Sequence, residues 1–296
     1  MIRSDCHVHT SFSADSSTPM EEQIRAAIRA GIRILTFTEH EDLDFPYSNT
    51  PREEWGSPFL IDIPSYRIEY ERLKKKYEGQ IELLLGCELG LAQDRPDLRN
   101  PIEHFPEEAP FDFVIGSTHA ARRQDPYFTS YFDMGIDRGV TDYFVQSLRN
   151  VQQFSCFDSY GHLDYVLRYA WKALTEEERQ TFQKSGESFG LYYYEKNRNV
   201  VDEILKTLAE KDKALEVNTQ GLSRGYPETN PCAAIVRRFR EFGGQKITVG
   251  TDAHTPDLVG TNLDAAEKVL LDAGFQEITI FSGRVSRQIL LNTEAH

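Results

Sequence analysis

Ile32-Arg33-Ile34-Leu35-Thr36-Phe37-Thr38-Glu39-His40 is a β-branched and apolar run that ends on an acid and a histidine. Such a run reads as a buried strand. Thr18-Pro19-Met20-Glu21-Glu22 lies upstream of it and reads as a helix start. Thr18 can cap, Pro19 suits the first helical position, and the acids favour the positive end of the helix dipole. That helix is expected to run to Ala30 and to stop at Gly31. Further back, residues 1–9 read as a short strand. Strand, helix and strand in that order form a βαβ unit.

The same alternation continues downstream. A helix over residues 65–77 leads into a strand over 81–87, which ends at Glu88. A strand over 111–117 ends at His119, and a weaker one over 157–161 ends at His162. Residues 214–218 make a sixth strand; residues 246–251 make a seventh that ends at Asp252 and His254. Helical stretches over 141–154, 187–210, 231–242 and 263–273 separate most of these strands. Seven such units predict an α/β fold with a closed or nearly closed parallel barrel. No linker, short repeat or low-complexity tract divides the chain, so one domain over residues 1–296 is expected.

Bulk properties narrow the function. The net charge of −14 disfavours nonspecific duplex binding, which depends on Lys and Arg against phosphates. A small phosphorylated substrate is still compatible, because bound cations invert the local field. The four cysteines, Cys6, Cys87, Cys156 and Cys232, form no CxxC pair and read as reduced thiols of a cytoplasmic protein. Cys6 and Cys87 directly precede His7 and Glu88. Neighbours on a strand point to opposite faces, so these thiols are expected to pack away from the site. The sequence offers no membrane span and no signal-peptide core.

His7, His9, His40, His119, His162 and His254, six of the eight histidines, sit in short motifs at strand ends; only His104 and His296 do not. One such histidine alone is ordinarily a satisfied core or surface residue. Six of them, at the end of a barrel where active sites form, point to a metal cluster and a hydrolase. His7 and His9 share one side of an extended strand, so together they can clasp one ion. The Glu88 carboxylate can bridge two cations. Metals about 3.5–4 Å apart can share a hydroxide whose pKa is brought near 7, and that hydroxide is the expected nucleophile. No nucleophilic Ser or Cys motif competes with it.

Arg168, Arg198 and Arg224 are the candidate phosphate-binding cations, since Arg suits bidentate phosphate contacts. Asp252 or His254 is the candidate proton donor to the leaving group. Two long aromatic segments, 41–64 and 120–140, follow ligand-bearing strands and are expected to hang over the site as ordered lids. In the first, Glu41, Asp42 and Asp44 stand beside Phe45 and Tyr47, where they would suit a cationic substrate group.

These motifs resemble the polymerase and histidinol phosphatase (PHP) family of metal-dependent phosphoesterases, over nearly the whole chain. The resemblance rests on Asp5-Cys6-His7-Val8-His9-Thr10-Ser11-Phe12-Ser13-Ala14-Asp15-Ser16, Thr38-Glu39-His40, Glu88 and Ser117-Thr118-His119. It rests equally on Gly161-His162-Leu163-Asp164 and Gly250-Thr251-Asp252-Ala253-His254. The chain is most similar to the stand-alone histidinol-phosphate phosphatases, through its length, Arg168-Tyr169 and Glu216-Val217-Asn218-Thr219-Gln220-Gly221-Leu222. The resemblance implies a distorted seven-stranded (β/α) TIM-like barrel and hydrolysis of L-histidinol phosphate in histidine biosynthesis.

It also implies three metal ions. His7, His9, Glu88 and Asp252 would hold the first; Glu88, His119 and His162 the second; Asp15, His40 and His254 the third. Asp15 stands where some relatives carry His, an oxygen ligand that favours a harder metal. Zn, Fe and Mn all suit these donors. Three other readings compete. A nucleotide or oligonucleotide phosphoesterase would want a basic, aromatic-lined groove. An amidohydrolase-like C–N hydrolase would not need phosphate-binding arginines. A non-catalytic module would not need intact ligands.

Overall fold

The computed structural model describes residues 2–45 and 58–291. Seven parallel strands follow one another around the sheet in chain order. They are β1 (Ser4–Val8), β2 (Ile34–Glu41), β3 (Glu82–Gly90), β4 (Phe113–Ser117), β5 (Ser159–Tyr160), β6 (Ala214–Asn218) and β7 (Ile247–Gly250). They are buried almost throughout, as strands covered on both faces must be. Strands β1 and β7 meet at their C-terminal ends. The His9 N–H donates to Ala253 O at 2.9 Å and the Asp252 N–H to His7 O at 2.7 Å. The barrel is therefore nearly closed, and its seam lies where the ligand motifs emerge.

Helices wrap the sheet: α1 (Met20–Arg29), α2 (Ile63–Lys76), α3 (Arg99–His104), α4 (Ile136–Gln153), α5 (Val166–Ala173) and α6 (Glu176–Ser185). Then come α7 (Phe189–Lys196), α8 (Arg198–Glu210), α9 (Gln220–Ser223), α10 (Ala233–Glu241) and α11 (Leu263–Asp272). Thr18 does not cap α1; its hydroxyl donates to His254 O at 2.9 Å and ties the helix start to the barrel rim. The helix expected over 187–210 is two. Asn197 breaks it by turning its amide back to Tyr193 O at 2.9 Å while accepting the Thr141 hydroxyl at 2.8 Å. Cys6 and Cys87 are buried in the core as free thiols, and burial pushes Cys6 up to about 12.

A hairpin unforeseen in the sequence, β8 (Glu277–Ser282) with β9 (Val285–Leu290), covers the N-terminal mouth. Its two-residue turn has Gly283 at φ 56° and Arg284 at φ 64°, the handedness that matches strand twist. Phe281 stacks on Phe113 at 5.3 Å. Arg284 pairs with Asp158, and Arg287 with Glu82 at 2.6 Å, both at or beside the starts of barrel strands. Of the two expected lids, Tyr47, Pro51 and Trp55 lie outside the described residues. The second lid is ordered by Tyr131 and Phe132, both buried. Among the described residues, no helix is long and apolar enough to cross a membrane.

Candidate metal centre

Strand alternation delivers the first candidate ligands. His7 and His9 leave one side of β1, and His40 on β2 lies in register with Glu88 on β3. His119, His162, Asp252 and His254 follow the ends of β4, β5 and β7, and Asp15 comes from the loop after β1. All nine meet around Glu88. Its Oε2 faces His40 Nδ1 at 3.0 Å, His7 Nε2 at 3.2 Å and His9 Nε2 at 3.5 Å. Its Oε1 faces His162 Nε2 at 2.8 Å and His119 Nε2 at 3.0 Å, and accepts the Ser117 hydroxyl at 2.7 Å. Asp252 Oδ1 lies 3.4 Å from His9 Nε2. Asp15 Oδ2 lies 3.0 Å from His254 Nε2 and 3.6 Å from His40 Nε2.

The hydrogen bonds behind the cluster decide which imidazole nitrogens are bare. The Ser13 hydroxyl gives its one proton to Glu39 Oε2 at 2.6 Å and accepts the His40 N–H. His9 Nδ1, 3.0 Å from Ser13 Oγ, must therefore be the donor there. Likewise His7 Nδ1 donates to Glu216 Oε1 at 2.6 Å, His119 Nδ1 to Asp42 Oδ1 at 2.8 Å, and His254 Nδ1 to Asp252 O at 2.9 Å. Wherever one of these rings is neutral, its other nitrogen turns a lone pair inward. His7 Nε2 and His9 Nε2 face each other at 3.0 Å, an arrangement that only a proton or a cation between them makes favourable. Among the described residues, Glu88 Oε2, His40 Nδ1 and His162 Nδ1 are buried without a well-aligned hydrogen bond, although the first two approach to 3.0 Å.

The surrounding acids draw positive charge to the rim, whether as protons or as metal ions. Burial pushes His7 and His40 down, but surrounding carboxylates outweigh it and hold both well above the usual range. Burial would raise Glu88 and Asp252, yet the imidazoles around them hold both well below it. Four buried triads place one ligand atom each within 4.8 Å of one another: His7/His9/Asp252, His7/Glu88/His162, His40/Glu88/His119 and His9/His40/His254. Cations among them would satisfy the set together, and an N/O donor set with carboxylate-anchored imidazoles fits transition metals.

The backbone is bent to this purpose. His162 and Asp252 take positive φ, 23° and 54°, although neither is glycine. Gly250 is needed beside them, since a Cβ there would lie 2.3 Å from His7 Cβ.

The cationic expectations fare unevenly. Arg168 is buried and committed: it donates to Asn230 at 2.7 Å, to Gln220 and Asn218 at 2.8 Å, and to Asp252 at 3.3 Å. It orients Asp252 from behind. Arg224 lines the cavity over the cluster. Arg198 is misplaced by the sequence reading: it lies exposed at the start of α8, paired with Glu195 and over the Tyr194 ring, and lines no part of that cavity. The first-lid acids are also corrected. Asp42 holds His119, and Glu41 accepts the Ile61 N–H at 2.7 Å. Asp44 lines a neighbouring cleft rather than this cavity. Glu216, Ser13 and Glu39, which orient the candidate ligands, were given no role by the sequence reading, and Asp42 was given a different one. Glu216 and Asn218 carried a signal, being polar residues two apart on a buried strand.

Residues 5–220 match the family model of the PHP domain. The chain belongs to the PHP domain family. Asp252 and His254 lie beyond the matched residues, yet the seam between β1 and β7 places them in the same cluster of this PHP protein. The chain is 33% identical over 288 residues to the histidinol-phosphatase of Lactococcus lactis, covering 96% of both chains. It is 29% identical to a "Probable histidinol-phosphatase" of Clostridium acetobutylicum, covering 90% of this chain and 91% of that one. The crystal structure of the Lactococcus lactis histidinol phosphate phosphatase, complexed with zinc, L-histidinol and phosphate, superposes with a TM-score of 0.78. It is 29% identical, and the match covers 96% of this chain and 98% of that one. The PHP barrel here is thus the TIM-like barrel expected, with a hairpin added.

Proposed function

We propose that this protein is a metal-dependent phosphomonoester hydrolase that converts L-histidinol phosphate to L-histidinol and phosphate in histidine biosynthesis, its 296 residues acting as one cytoplasmic PHP domain. The observation that carries the reading is the set of inward-facing imidazole lone pairs around Glu88, joined to the full-length likeness to a histidinol-phosphatase. His7, His9, Glu88 and Asp252 would hold one ion, Glu88, His119 and His162 a second, and Asp15, His40 and His254 a third, each Zn, Fe or Mn. When bound, such ions supply Lewis acidity that activates water near neutral pH and neutralises phosphoryl oxygens.

The chain's own groups do the rest. Arg224 supplies a cation at the cavity for phosphoryl oxygens. Arg168 fixes the Asp252 carboxylate. Phe45 and Phe59, rings 4.3 Å apart, wall the cavity and limit water. Asp252 or His254, once reoriented by substrate, would pass a proton to the leaving alkoxide. The charge of −14 favours a small-molecule substrate over nucleic acid.

The test is phosphate release by the purified, metal-analysed protein from histidinol phosphate, nucleotides and sugar phosphates. Histidinol phosphate should give the highest kcat/KM. The Glu88→Ala variant should fall to background while its circular dichroism stays native. Preference for a nucleotide would reject the assignment.

A further inference from the structure

We propose that Asp125, with the tyrosines around it, binds the positively charged end of the substrate and so determines its specificity; the inference rests on the function proposed above. Five carboxylates line the cavity over the cluster: Asp15, Asp42, Glu88, Asp125 and Asp252. Four of them are committed. Asp15 pairs with His254 and His40, Asp42 with His119, Glu88 with five imidazoles, and Asp252 with His9 and Arg168. Among the described residues, Asp125 pairs with no histidine, arginine or lysine.

Its hydrogen bonds are lopsided. Oδ1 accepts the Tyr127 N–H at 2.8 Å and the Tyr165 hydroxyl at 3.2 Å. Oδ2 accepts none among the described residues. The carboxylate is thus held at one oxygen and open at the other, on a wall of the cavity. Burial raises its pKa to about 6, so at neutral pH it is ionised but poorly solvated.

Aromatic rings extend the site. Tyr165 packs against Tyr169 at 5.0 Å, and Tyr169 against Tyr127 at 5.8 Å. Aromatic faces attract cations. The Tyr165 ring also lies 5.0 Å from His162 and 6.0 Å from His119, so this wall begins at the metal ligands. A phosphate held over the cluster therefore leaves the next few atoms of its alcohol beside Asp125. Arg224 and Asp125 line the same cavity with opposite charge. That pairing suits a dipolar substrate, a phosphomonoester that carries an ammonium or imidazolium group, and penalises uncharged alcohols.

Asp125→Asn is the discriminating variant, because an amide oxygen still accepts both hydrogen bonds while the charge is lost. It should lower kcat/KM for histidinol phosphate by roughly 10- to 100-fold, the loss of one charge-assisted contact. It should leave p-nitrophenyl phosphate, which has no cation, within about twofold, as expected when no contact is removed. L-Histidinol should also weaken as a product inhibitor in the variant, with inhibition by inorganic phosphate unchanged. If wild type prefers histidinol phosphate and the variant keeps that preference, this proposal fails alone. Equal losses on both substrates also overturn it, since Asp125 would then support the metal centre. If wild type shows no preference for histidinol phosphate over p-nitrophenyl phosphate, the proposed function fails and this proposal falls with it.

Discussion

At the N-terminal mouth of the barrel, Arg284 meets Asp158, Arg287 meets Glu82, and Phe281 stacks on Phe113. At the C-terminal rim of the same strands, His7 faces His9 nitrogen to nitrogen, and His9 stacks against both His40 and His254 at 4.2 Å, which are themselves 5.8 Å apart. His162 and Asp252 there take positive φ inside the site, whereas at the mouth positive φ falls on the Gly283-Arg284 turn, a hairpin type that calls for it. One end follows the local rules of a stable protein. The other breaks them, and such breaks mark functional sites. Barrels divide labour in this way, with stability below and chemistry above. In this chain the hairpin makes the division sharp.

If the division is real, damage at the mouth should reach stability and leave the metals alone. Phe281→Ala removes a ring 6% exposed and should cost about 3–5 kcal/mol of unfolding free energy. Its zinc or manganese stoichiometry and its KM should match wild type at a temperature where it is folded. A lost metal in that variant would break the comparison. At the rim the reverse should hold. Glu216→Gln keeps a hydrogen-bond acceptor for His7 but removes the charge, and should weaken metal affinity about 10- to 100-fold. Chelator titration of the folded variant reads that change. The smallest effect belongs to the surface. The Arg287–Glu82 pair is close to half exposed on both sides, so Arg287→Ala should cost no more than about 1 kcal/mol, with no change in kcat.

The sequence made the rim legible for a specific reason. Ligands on parallel strands must fall at strand ends, and strand ends are marked in the chain by apolar runs. His7, His9, His40, Glu88, His119, His162, Asp252 and His254 stand out as candidates that way, and the fold gathers them around Glu88. The residues that orient them could not, because Glu216 reaches His7 across 209 positions and nothing local announces the contact. Arg198 was misjudged because a helix position carries no information on depth, and its partner Glu195 lies one turn away on the outside. The hairpin went unseen although Ile278, Ile280 and Phe281 make a β-branched and aromatic run that is buried. Its turn uses Gly283-Arg284 in place of the Asn-Gly pair that usually signals one.

The closing seam also sets an order of events during synthesis. His7 donates to Glu216, and Asp5 accepts the Thr251 N–H at 2.9 Å, a contact between residues 246 positions apart. A nascent chain presents His7 and His9 long before Asp252 and His254 exist. An early imidazole pair binds whichever divalent ion competes best, copper ahead of zinc and manganese. The finished rim, with its acids and fixed tautomers, offers a different choice. On the function proposed above, metal selection is therefore a property of the completed chain rather than of its first motif.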